Sequence, residues 1–170
     1  MSKRVYKGVI CTEFGEKICK IVVELSENGM FEQIYLLLLN ETSPLEERAL
    51  ALSGSKVAEV IIKRFHGEDV DVPHEALGKT EFNKRVYEKL FAIPSGETLT
   101  YKDIAIACGS ENSARAVGNA LRTNPLAIIY PCHRVVGKSG LCGFVGKNEE
   151  YLKIKEKFLD MESKGERMKI

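Results

Sequence analysis

The sequence predicts an α+β protein with a strand-rich amino-terminal lobe and a mainly helical carboxy-terminal lobe. Three observations carry this. Lys17 to Leu25 alternates apolar and polar residues with the period of a strand and runs into Asn28-Gly29, a hairpin signal. From Thr80 onward, apolar residues recur at helical spacing between recognisable caps. Between the two patterns, Glu68 to Gly78 carries Pro73 and little periodicity, so it reads as a linker. The predicted lobes are residues 1–77 and 78–170.

In the first lobe, Val5–Cys11, Lys17–Leu25 and Met30–Leu39 are expected to form an antiparallel meander. Ser43-Pro44-Leu45-Glu46 has the form of a helix start, with a serine cap and proline at the first helical position. A second helix is expected after Ser53-Gly54-Ser55, with Val57, Val60, Ile61 and Phe65 on one stripe and His66-Gly67 ending it. In the second lobe, Thr80 opens a helix bearing Phe82, Val86, Leu90 and Phe91, which Ile93-Pro94-Ser95-Gly96 breaks. Thr100-Tyr101-Lys102-Asp103 is a capping box for a helix that stops at Gly109. After a turn at Ser110–Ser113, Ala114–Arg122 forms a third helix ended by Asn124-Pro125. Two short helices across a tight turn predict a helix-turn-helix. Leu126–Tyr130 is apolar and short enough for a buried strand or extended segment. A closing helix is expected from Glu149 to about Met161, packing through Leu152, Phe158 and Leu159.

Composition excludes some function classes and leaves others open. An apolar content of 44% with 29% charged residues is ordinary for a globular protein. A net charge of +1 gives no bulk attraction to nucleic acid, so any such partner needs a local basic face. No apolar run approaches the roughly 18 residues of a membrane span, and no signal peptide is evident. The five cysteines show no CxxC spacing, which fits a reduced, cytoplasmic protein without a disulfide framework. Cys11, Cys19, His66 and His74 match no familiar zinc spacing. The two cysteines read better as buried small apolar residues, and no metal is expected.

The densest chemistry lies in Pro131-Cys132-His133-Arg134-Val135, followed by a glycine-rich loop from Gly137 to Gly146. A free thiol with a pKa of ~8.5 is only a few per cent thiolate at neutral pH, so a nucleophilic cysteine needs a base. His133 is adjacent, and a turn at Pro131 would bring both side chains to one side. The pair is either a nucleophile with its base or a buried cysteine beside a satisfied histidine. Arg115 lies among Ala114, Ala116, Val117, Gly118 and Ala120, a surface that permits close approach of a nucleic-acid backbone or of another helix. Tyr101, at a helix start, is either core or faces a phosphate.

Taken together, these motifs resemble the O6-alkylguanine-DNA alkyltransferases. The resemblance rests on Pro131-Cys132-His133-Arg134-Val135, Arg115-Ala116-Val117-Gly118, Asn124-Pro125, Ile93-Pro94-Ser95-Gly96-Glu97-Thr98 and Thr100-Tyr101 with Asp103-Ile104-Ala105. It runs from about Phe82 to Gly146. It implies a ribonuclease-H-like α/β amino-terminal lobe and a single-turnover repair reaction on double-stranded DNA. In that reaction Cys132 takes the alkyl group from O6 of a flipped-out guanine, and keeps it, with O4-alkylthymine as a second candidate substrate. His133 would draw off the thiol proton through a water, and Glu156, aligned on the closing helix, would orient it. Arg115 would fill the vacated stack and Tyr101 would crowd the 3′ phosphate and reach the base at N3, with the recognition helix in the minor groove. Asn124 would tie the helix turn to the active-site segment. The carbonyls of Cys132 and Val135 would read the guanine amino group, and the amide of Val145 would donate to O6. No cofactor is implied, and the protein would act as a monomer. Val145 stands where some members have a serine, and Ala127 stands near a position that can be proline, which implies altered handling of benzyl against methyl adducts.

Two other readings stay in view. A helix-turn-helix damage-binding module would lack the cysteine. A Cys-His-Glu hydrolase would need turnover and an oxyanion site.

Overall fold

The computed structural model describes residues 3–11, 15–74, 77–144 and 149–170. Three strands, β1 (Arg4–Cys11), β2 (Lys17–Leu25) and β3 (Phe31–Leu37), form the expected antiparallel meander. The β2–β3 turn is closed by the Met30 carbonyl accepting from the Ser26 amide, with Gly29 in the left-handed region at φ 79°. That conformation is open to glycine without steric cost. Cys19, Ile21, Val22 and Val23 of the central strand are all fully buried, so both faces of its second half are covered.

The helix expected at Ser43 is a single 3-10 turn, Pro44–Arg48, although Ser43 does cap it through the Leu45 amide. None of its residues is buried. Without an apolar face to bury, a helix gains little from packing. The chain instead extends into β4 (Leu50–Ala51), which pairs parallel with Tyr6 and Lys7 of β1 and completes a sheet of order β3-β2-β1-β4.

Helix α1 (Lys56–Phe65) starts at the Ser55 cap and stops at Gly67, as its sequence predicts. Helices α2 (Glu81–Phe91), α3 (Tyr101–Ala107) and α4 (Ala114–Arg122) also lie where expected, and Thr100 and Asp103 form a complete capping box. No periodicity or turn signal announces the next pairing. Strand β5 (Leu99–Thr100) runs parallel to β6 (Val135–Val136), which fixes the start of α3 beside the end of the cysteine segment. The closing helix α5 (Glu149–Lys164) runs one turn longer than predicted. It buries Ile154, Lys155, Phe158, Met161 and Glu162, whereas Leu152 and Leu159 are only partly covered.

Beyond α5 the tail returns to the sheet. Lys169 exchanges two backbone hydrogen bonds with Cys11, and the Ile170 side chain sits over Gly8 so closely that a Cβ there would lie 2.4 Å from it. The apolar core is one continuous cluster that includes residues of the sheet and of all five α-helices. The described residues are therefore mixed α+β, with one four-stranded sheet and five α-helices.

Candidate active site

Leu126–Tyr130 is buried as expected, but it is a turn and not a strand. The Tyr130 amide donates to the Leu126 carbonyl at 2.9 Å, and Ile128 sits at φ 75°. Among the described residues it is the only non-glycine with positive φ. For a β-branched residue that conformation costs about 1–3 kcal/mol and persists only where surrounding contacts enforce it. Asn124 supplies two such contacts. Its Nδ2 donates to the Tyr130 carbonyl at 2.9 Å, and its Oδ1 accepts from the Leu126 amide at 3.1 Å. The tie expected of Asn124 between the helix turn and the cysteine segment is present.

Directly after this turn, Cys132–Arg134 forms one 3-10 turn, with the Cys132 amide donating to Tyr130 at 2.7 Å. A turn replaces an extended segment here, so neighbouring side chains no longer point to opposite faces. All three side chains are buried. Burial pushes the Cys132 thiol up, against the opposing pull of a hydrogen bond from Asn124 and of the Lys155 charge. At rest the sulfur holds its proton, and attack requires that a base remove it.

The adjacent His133 is the candidate base. The His133 Nε2 lies 2.8 Å from Glu162 Oε1, with the ring stacked on Phe65 of α1 and edge-on to Phe158 of α5. A carboxylate accepts, so Nε2–H donates, and Nδ1 is left as the acceptor of the neutral ring. Burial lowers the His133 pKa, outweighing the neighbouring carboxylate, and so keeps that acceptor free. Burial alone would raise the Glu162 carboxyl. The hydrogen bonds from His133 and Arg134 and the Arg134 charge overcome it, and the net shift is downward.

Glu156 does not fill the predicted role. It is exposed, whereas the side chain of Glu162 is completely buried against His133 and Arg134. The reason is helical phase. Residues 154, 158 and 162 repeat every four positions along the buried stripe, while 156 stands about 200° around from 154. The spacing of Ile154, Phe158 and Met161 carried this signal.

Two further residues escaped the sequence reading. Arg134 is fully buried. It pairs with Glu162 at 2.7 Å and donates to the carbonyls of Ile93 and Phe65 at 2.6 and 2.7 Å, which binds α1 and the end of α2 to α5. The Gly96 amide adds a bond to Glu162 Oε2, giving the Pro94-Ser95-Gly96 break a role in the site. Lys155, also fully buried, donates to the carbonyls of Val135, Cys142 and Gly143 at 2.6, 3.0 and 3.0 Å. The Val135 carbonyl therefore already serves Lys155, with its second lone pair available.

Tyr101 is half-buried at the start of α3. Its hydroxyl donates to the Cys142 carbonyl at 3.2 Å, and burial raises its pKa to about 12, so it remains a proton donor. Its ring lies against Gly118 of α4. Arg115 is exposed on α4, on the face that also shows Ala116 and Asn119. Val145 lies outside the described residues.

One buried histidine, His133, and one partly buried, His66, make the fold acid-sensitive. The pKa of His66 and of His133 is lowered from 6.5, chiefly by burial. The folded state keeps both rings neutral where the unfolded chain takes up protons, so their contribution is intact above 6.5 and is lost as pH falls through the lower folded values. A thermal midpoint that is flat above 6.5 and falls below it is expected. His66→Gln should flatten part of that fall, because the His66 Nε2 accepts the Met168 amide only while unprotonated.

Residues 81–164 match the family model described as 6-O-methylguanine DNA methyltransferase, DNA binding domain. A probable methylated-DNA–protein-cysteine methyltransferase of Acanthamoeba polyphaga mimivirus is 48% identical over 85 residues, 50% of this chain and 54% of that protein. The methylated-DNA–protein-cysteine methyltransferase of Salmonella typhimurium is 36% identical over 118 residues, 66% of this chain and 69% of that protein. The match thus spans only about half the length of several curated relatives. Over nearly the whole chain, the fold is similar to that of Mycobacterium tuberculosis O6-methylguanine methyltransferase, with a TM-score of 0.68 at 30% identity, covering 94% of this chain and 93% of that one. It is also similar to Mycobacterium tuberculosis OGT in complex with DNA, with a TM-score of 0.65 at 34% identity, covering 86% and 88%.

Proposed function

Because the chain belongs to the methylated-DNA–protein-cysteine methyltransferase family, we propose that it repairs O6-alkylguanine in DNA by moving the alkyl group to Cys132. The observation that carries this reading is the buried set of Cys132 and His133 on one 3-10 turn with Glu162 of α5 bonded to His133. His133 takes the thiol proton at Nδ1 through a water, and Glu162 stabilises the resulting imidazolium. The sulfur forms a bond to the alkyl carbon as the bond from that carbon to O6 breaks. The guanine leaves as an oxyanion that is reprotonated, with the Tyr101 hydroxyl as a near donor. The thioether stays on Cys132, so one molecule removes one lesion. The same displacement serves O4-alkylthymine.

O6 lies inside the duplex, and a thiol this buried reaches it only if the nucleotide rotates out. The α3–turn–α4 unit acts as a helix-turn-helix entering the minor groove. Arg115 fills the gap in the stack, and Tyr101 crowds the 3′ phosphate. The carbonyls of Cys132 and Val135 and the amide of Val145 hold the base. The protein acts as a monomer without a cofactor and in a reducing compartment such as the cytoplasm, since the reaction consumes a free thiol. Residues 1–77 form a ribonuclease-H-like lobe on which residues 78–170 rest; β4 running parallel to β1 after an antiparallel meander supports that layout.

Incubation with duplexes bearing one O6-methylguanine tests this reading. Repair should plateau at one lesion per protein molecule. Arg115→Ala should slow repair in duplex by about tenfold, and less for a lesion in single-stranded DNA, where less unstacking is required. Turnover beyond one lesion per molecule would favour the hydrolase, and lesion binding without repair would favour the binding module.

A further inference from the structure

The His74 imidazole bridges two segments that are distant in sequence. One ring nitrogen, Nδ1, meets the Val72 carbonyl, and Nε2 lies 2.7 Å from the Tyr130 hydroxyl. A carbonyl only accepts, so Nδ1 carries the hydrogen, and Nε2 receives the tyrosine proton. On one side the histidine is anchored to the sheet: the neighbouring Pro73 carbonyl accepts from Phe31 of β3 at 2.6 Å, and residues 31 and 74 form a parallel bridge. On the other side Tyr130 ends the turn that holds Ile128 in its left-handed conformation. The Tyr130 carbonyl receives both the Asn124 side chain and the Cys132 amide. Its ring is packed edge-on or tilted against His74, Tyr87 and Phe91, at the wall of a cavity of about 760 Å³ that is lined also by Asp69, Asp71 and Glu88.

A turn that stores strain relaxes unless both of its ends are held. Asn124 holds the beginning. At the end, the backbone bonds of Tyr130 are made within residues 124–132 themselves and move with the turn. The hydroxyl is its hydrogen bond to the sheet lobe. We propose that His74 is a positioning residue for alkyl transfer: through Tyr130 it holds the 126–132 turn, and with it the Cys132 sulfur, in the attacking position. The inference rests on the alkyl-transfer reading above and gives the amino-terminal lobe a part in the reaction. His74 touches neither the sulfur nor the base, so its effect falls on the rate of the bound complex and not on DNA affinity.

The test is single-turnover transfer from O6-methylguanine duplex to the full chain, resolved into the maximal rate and the DNA concentration giving half of it. His74→Ala and Tyr130→Phe should each lower the maximal rate by about tenfold, because small displacements of reacting atoms are costly. The half-saturating DNA concentration should stay within about twofold, since Tyr101 and Arg115 are untouched. The double variant should lose no more than either single one, and His74→Gln, whose amide can still accept the hydroxyl, should recover part of the rate. A parental rate in His74→Ala would overturn the inference, as would losses that multiply in the double variant. So would a loss seen only as lower thermal stability, with the rate intact below the melting range. No transfer by the parent protein would overturn the alkyl-transfer reading and this inference with it.

Discussion

Glu162→Ala is expected to abolish function and weaken the fold together. Removing the carboxylate leaves the Arg134 guanidinium fully buried with only the Ile93 and Phe65 carbonyls for partners. Breaking a buried ion pair from one side costs about 3–5 kcal/mol, because the remaining charge is left uncompensated. The His133 ring also loses the acceptor that fixes its tautomer, and losing a positioned base costs about 10²-fold or more in rate. Glu162→Gln keeps the shape and separates the effects. It should retain more stability than Glu162→Ala yet transfer alkyl groups slowly, since the amide no longer stabilises the imidazolium. Urea midpoints and single-turnover rates read the two separately. Glu156→Ala should change neither; a loss of transfer there with Glu162→Gln unaffected would reverse the assignment.

Lys155→Met carries the second large effect. The ammonium is the hydrogen-bond donor to three carbonyls that form one wall of the site, those of Val135, Cys142 and Gly143. The Cys142 carbonyl keeps the Tyr101 hydroxyl, but the buried Val135 carbonyl loses the lysine, and a buried acceptor left without a partner costs about 1–3 kcal/mol. Lys155 also opposes the upward push of burial on the Cys132 thiol, so its loss leaves a sulfur that is harder to deprotonate. Transfer should slow by about tenfold or more, and the amides near residues 142–144 should exchange faster with solvent. An unchanged rate would show that the lysine serves the loop alone.

Much of this was visible in the sequence because local rules and tertiary demands agree. Ser55, Thr80 and Thr100 cap helices where capping chemistry says they should. Asn28-Gly29 turns the hairpin, and Asn124 and Tyr101 lie beside the segment that carries Cys132 and His133. The failures have a common physical origin in long-range contacts. Ser43-Pro44 looks like a helix start, but the sheet edge at Tyr6–Lys7 takes the following residues instead. Leu126–Tyr130 has the composition of a strand, yet Asn124 folds it into a turn through bonds no periodicity reveals. Arg134 and Lys155 read as ordinary charges until their carbonyl partners, up to 69 residues away, are known. Glu162 is legible in principle from helical phase, whereas alignment of the closing helix favours Glu156, which the structure leaves exposed.

The acid sensitivity of the site follows from the same burial. His133 is held neutral below its ordinary 6.5, so transfer should persist into mildly acidic solution before failing with the fold. This couples chemistry to stability at low pH, and rates there need a parallel measure of folding.

The most direct measurement is the intact mass of the protein after reaction with a duplex containing O6-methylguanine, followed by peptide mapping. The account predicts that one methyl group replaces one hydrogen, on the peptide carrying Cys132, and that Cys132→Ser gains none while still binding the lesion. A methyl group found on Cys142 or elsewhere, or guanine restored with no change in protein mass, would contradict it.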